Sequence, residues 1–110
     1  MLELFTLYVG SGDSTTAGKL RGIVTNVVRS KFESFTLVKG EGHFRKAREP
    51  VCLVRIATDD VEKILAVAAE LRSRLRQDGV GIEYGGAYYR CTASDCASAL
   101  RRQFVDRRRE

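Results

Sequence analysis

The spacing of apolar residues changes period several times along this chain. LELFTLYV, residues 2 to 9, is rich in apolar and aromatic types and gives way to the glycine, serine and threonine loop GSGDSTT, which predicts a strand followed by a loop. Leu20, Ile23, Val24, Val27 and Val28 then recur at helical spacing, predicting a first helix over about residues 14 to 31 with Asp13 or Ser14 as its cap. SFTLV at 34 to 38 and VCLVRIA at 51 to 57 read as two strands of a hairpin, because Pro50 bars helix and biases Glu49 toward an extended backbone. Val61, Ile64, Leu65, Ala68, Leu71 and Leu75 form the clearest stripe, a second helix capped by Asp59 or Asp60 and ending at Asp78 and Gly79.

Beyond that helix, VGIEY and AYYRC flank Gly85 and Gly86, so residues 80 to 91 form either one bent strand or a tight Gly-Gly hairpin. Ser94 or Asp95 is placed to cap a third helix with Ala97, Leu100 and Phe104 on its inner side. The order β-α-β-β-α-β is that of an α+β, ferredoxin-like fold, an antiparallel sheet covered by helices on one face, with an added C-terminal helix. The expected organisation is a body over residues 1 to 93 and a basic helix or tail over 94 to 110. One sheet face is left open, and it becomes the first place to look for a site or a partner.

Composition narrows the setting. The 110 residues allow one ordinary domain, and 44% hydrophobic with 30% charged residues excludes the disordered class. No secretory signal or spanning segment is evident, so a cytoplasmic location is expected. Cys52, Cys91 and Cys96 contain no C-x-x-C pair and are expected as reduced thiols, with Cys52 in the core. The net charge is +5, but RRQFVDRRR at 101 to 109 carries +4 of it, leaving a nearly neutral body.

Four constellations bear on chemistry. GSGDSTTAGK fails as a phosphate-binding loop, because Asp13 stands where the first glycine belongs and Leu20 follows Lys19. TLYVGSG is similar to the first-strand motif of an RNA recognition module, yet VCLVRIA lacks the aromatic-rich partner motif. His43, the only histidine, lies near Glu41 and Glu49; these three are the candidate ligand-binding group, and a general-base role for His43 is the corresponding enzyme reading. One histidine and no cysteine pair offer no metal site, and no cofactor is expected.

A nucleic-acid surface would combine Tyr8 and Tyr88 for stacking with Arg72 and Arg76 of the second helix. Arg101, Arg102, Arg107, Arg108 and Arg109 of the tail would add phosphate contacts. A solvated helix face and a basic tail account for the same arginines without any ligand.

The elements LYVG, SKFESFTLV, GEGHF, EPVCLVRI and RQDGVGIE follow one another in an order that resembles a family of small uncharacterised bacterial and phage proteins. Its pattern is a glycine loop after the first strand, G-x-G-x-[FW], a glutamate before the third strand and Q-x-x-V after the second helix. Val51 and Cys52 depart from it where a small serine is expected, and the C-terminal helix lies outside it. The resemblance implies the fold and a phage or prophage origin, and it implies no substrate. The expected function is a non-catalytic binding protein acting as a homodimer, with a protein partner favoured over nucleic acid and no membrane contact. Nucleic-acid binding and a His43-based sensor or enzyme are the alternatives.

Overall fold

The computed structural model describes residues 1–12 and 16–109. Along the chain run β1 (Glu3–Gly10), α1 (Ala17–Arg29), β2 (Thr36–Phe44), β3 (Ala47–Thr58), α2 (Val61–Arg74), β4 (Gly79–Tyr84), β5 (Ala87–Thr92) and α3 (Ser98–Arg108). The strands form one sheet in the order β2-β3-β1-β4-β5, antiparallel throughout. The α+β class and the ferredoxin-like order of the first four strands are as expected, with a fifth strand added beyond β4.

That fifth strand settles the reading of residues 80 to 91 in favour of the hairpin. Gly85 and Gly86 both take positive φ, 58° and 78°, in the two-residue turn between the paired Tyr84 and Ala87. Such a turn matches the twist of the strands it joins, and glycine adopts it without a Cβ penalty.

Alternation decides what is buried. Phe5, Leu7 and Val9 of β1 and Cys52, Val54 and Ile56 of β3 point to one face. There they meet Leu20, Val24, Val27 and Val28 of α1 and Ile64, Leu65, Ala68 and Leu71 of α2. A fully buried aliphatic or phenylalanine side chain of this kind contributes roughly 1.5–3 kcal/mol, which makes this layer the main source of stability.

Several expected boundaries move. Helix α1 begins at Ala17, where the Thr16 hydroxyl accepts from the Lys19 N–H at 3.3 Å; Asp13 and Ser14 lie outside the described residues. Asp60 caps α2, its carboxylate accepting from the Lys63 N–H at 3.1 Å. At α3 the backbone turns through a left-handed Ala97, and Asp95 accepts from the Ser98 N–H at 3.1 Å.

The larger change concerns the extent of the hairpin: β2 continues past Val38 in regular register through Gly40 and Gly42 to Phe44, and β3 begins at Ala47, ahead of Val51, and carries Pro50 within it. The proline is tolerated there because β1 ends its pairing one residue further on, at Gly10↔Val51.

The cysteine expectation also changes. Cys91 and Cys96 form a disulfide, because the turn closed by the Thr92 N–H to the Asp95 carbonyl folds the chain back on itself. Cys52 is a buried free thiol, and desolvation raises its pKa.

Helix α3 docks on the helical side of the sheet. Phe104 packs at 6.0 Å from the Phe5 ring and 5.8 Å from the Tyr84 ring, and Leu100 is fully buried. Arg101 holds Glu62 of α2 through two bonds of 2.6 and 2.9 Å, and Arg107 reaches Glu3 at 3.3 Å. Among the described residues no helix is long and apolar enough to cross a membrane.

Candidate functional site

With all three helices on one side, the opposite sheet face meets solvent. Register places Val38, Leu53, Tyr8, Gly81 and Arg90 in one row across the five strands. The next row toward the strand ends contains Gly40, Val51 and Gly10, and beyond it Gly42 pairs with Glu49. Gly79 stands two residues before Gly81 on β4 and shares its face.

Five glycines therefore leave much of this face without side chains, and their neighbours lean over the bare backbone. A Cβ at Gly10 would lie 2.7 Å from a Glu49 carboxylate oxygen, one at Gly42 2.6 Å from the Val51 side chain, and one at Gly79 2.5 Å from the Arg90 guanidinium. At Gly81 it would collide with the Tyr88 hydroxyl. The result is a shallow cleft of about 670 Å³ floored by glycine backbone.

The polar groups around it are held in place. The Tyr8 hydroxyl donates to a Glu83 carboxylate oxygen at 2.7 Å, and that bond, with burial second, raises the Tyr8 pKa above 10.0. The Tyr8 and Tyr88 rings meet edge to face at 5.9 Å. Glu49 accepts from the Gly12 N–H at 3.0 Å, which fixes its carboxylate at the other end of the cleft.

The three residues singled out in the sequence, Glu41, His43 and Glu49, all border this cleft, without joining in one hydrogen-bonded group. His43 Nε2 lies 2.7 Å from a Glu41 carboxylate oxygen, and Arg48 lies 3.7 Å from the other. Strand alternation sends Glu41 and His43 to one side of β2, whereas Glu49 pairs with Gly42 and faces the open side. A base flanked by both carboxylates is therefore not the arrangement formed.

The nucleic-acid candidates are dispersed as well. Tyr8 and Tyr88 share the open face, but Arg101, Arg107 and Arg108 are engaged on the helical side with Glu62, Glu3 and the Met1 carbonyl. Arg72 leans on the Gln77 carbonyl, and Arg76 lies in the turn after α2 with a positive φ of 53°. Arg102 and Arg109 are exposed on α3 and just past its end. Among the described residues no three His, Cys, Asp or Glu side chains gather as a metal site.

Sequence reasoning missed Glu83, Arg90 and the glycine floor. The alternation within VGIEY was visible, but which glycines of different strands become neighbours is decided by register alone.

Fold and cleft together define an α+β protein with a five-stranded ferredoxin-like sheet whose uncovered face carries a glycine-floored cleft. No family model matches the chain, and no curated protein matches it. Among solved structures, a phage SAM lyase in its apo state is similar, with a TM-score of 0.57 and 21% sequence identity over 86% of this chain and 92% of that one. At that identity the likeness is one of fold, and it reaches a phage protein.

Proposed function

We propose that this protein is of phage type and binds a small adenosyl cation, S-adenosylmethionine or a close relative, in the cleft of its open sheet face. The observation that supports the reading is the open-face cleft itself, where the Tyr8 and Tyr88 rings and the Glu49 carboxylate stand over strands of glycine. Aromatic faces and a carboxylate attract a sulfonium, and the exposed Tyr88 phenol, which lies over Gly81, can swing aside to admit a flat ring. The name of the structural neighbour adds the substrate class and the lyase reaction.

Cleavage here would break a carbon–sulfur bond with its electron pair leaving on sulfur as a neutral thioether. The carbon is then satisfied by the ligand's own carboxylate closing a ring, or by loss of an adjacent proton to Glu49. Titration calorimetry with S-adenosylmethionine and with neutral methylthioadenosine tests the binding, and chromatography of the mixture tests cleavage. The expected result is at least about tenfold preference for the cation, weakened in Glu49→Gln, since one lost charged contact is worth roughly 1.5–3 kcal/mol. No heat from S-adenosylmethionine at about 1 mM, the weak end of specific binding, would sink the reading.

A second reading, a non-catalytic role through contact with another copy, is favoured by the exposed Leu4, Val38 and Tyr88 on the same face. Monomer mass on a sizing column removes it.

A further inference from the structure

Away from the cleft floor, β2 and β3 run past the last β1 pair, Gly10↔Val51, as a two-stranded ribbon closed by Phe44↔Ala47. Its turn consists of Arg45 and Lys46, both left-handed at φ 50° and 66°. That conformation favours Asn-Gly, and among the described residues it is the one place where two consecutive side-chain-bearing residues adopt it. The tip thus carries cations at positions where backbone geometry alone favours glycine.

The surrounding charges do not cancel them. From Phe44 to Arg48 the chain has three cations and no acid. Glu41 is occupied by His43 at 2.7 Å, with Arg48 at 3.7 Å, and Glu49 is folded back onto the Gly12 N–H. Phe44 is 68% exposed, and the Arg45 guanidinium stands 5.3 Å from its ring centroid. An outward aromatic ring beside two cations that hold no carboxylate, Arg45 and Lys46, matches a nucleobase with its flanking phosphates.

We propose that the β2–β3 tip binds single-stranded nucleic acid, with Phe44 stacking on one base and Arg45 and Lys46 contacting the adjacent phosphates. Paired and stacked bases of a duplex are closed to a single ring at a hairpin tip, which is why the single strand is the occupant. A membrane surface fits less well, because Phe44 is the one large apolar side chain at the tip. Phe44 also borders the cleft of the adenosyl reading, and the two are told apart at Arg45 and Lys46, which lie outside that cleft.

The test is fluorescence anisotropy of the full chain with labelled oligo(dT), and with a duplex of equal length, at two salt concentrations. Two phosphate contacts predict a loss of about sevenfold between 50 and 200 mM salt, from about 0.7 counterions released per contact. The variant Arg45→Asn/Lys46→Gly removes two cations while installing the residues the turn prefers. It is expected to keep or raise the melting temperature and to weaken oligo(dT) binding about tenfold. Phe44→Ala is expected to weaken it about fivefold or more through lost stacking. Unchanged binding in the folded double variant, no binding at low salt, or preference for the duplex each overturns the proposal.

Discussion

The two faces of the sheet are built from the same strands yet have opposite characters. Phe5, Leu7 and Val9 of β1 are wholly buried under three helices, while the alternate residues Tyr8 and Gly10 lie on a surface kept open by glycines. The first face converts apolar area into stability. The second gives up side chains at its glycines, and neighbours such as Glu49, Arg90 and the exposed Tyr88 lie over them. A substitution should therefore cost folding on one face and ligand on the other.

The largest expected effect is on the helical face. Phe104→Ala removes the ring that joins α3 to Phe5 and Tyr84, and a loss of roughly 3–5 kcal/mol is expected in urea denaturation. A value near that of a surface change would mean that α3 is not part of the folded unit.

Next comes the Cys91–Cys96 disulfide, which ties the end of β5 to the segment leading into α3 on this same side. Closing so short a loop is worth about 2 kcal/mol by chain entropy, so reduction should lower stability by that amount and Cys91→Ser should match it. Equal melting temperatures with and without reductant would contradict this.

On the open face the pattern reverses. Gly81→Val meets the hydroxyl end of the exposed Tyr88, which can swing aside, so stability should change by less than about 1 kcal/mol. Heat of S-adenosylmethionine binding should nevertheless disappear in calorimetry. A large loss of stability with binding retained would reverse the assignment of the two faces.

The smallest effect is a titration. Because the bond to Glu83 raises Tyr8, and because burial, then the bond to Glu3, raises Tyr84, the folded chain keeps these phenols protonated above 10.0, where unfolded ones ionise. Their stabilising contribution is complete below pH 10 and is lost as pH rises through the folded values. Ultraviolet titration should show a late phenol that Glu83→Gln brings nearer 10; no change in that variant would place the late phenol elsewhere.

Much of the helical face was legible from the sequence. The stripe Val61, Ile64, Leu65, Ala68, Leu71 became the buried side of α2, and Ala97, Leu100 and Phe104 became that of α3. Each signal repeats within one element, so neighbours along the chain carry it. The extent of the hairpin was misjudged for the opposite reason: Gly40, Gly42 and Pro50 resemble turn residues locally, and only pairing across strands shows them inside a ladder. Glu41, His43 and Glu49 lie within nine residues of one another, yet the two-residue period of a strand divides them between faces.

What the sequence determined by itself was the order of elements, the helical core and the fold class, since these follow from local periodicity summed along the chain. Only the tertiary structure decided that α3 joins the helical side, that Tyr8 meets Glu83, and that glycines from three strands form one floor. Those facts depend on register and on which face a returning segment covers, and residues far apart in sequence carry no local record of either.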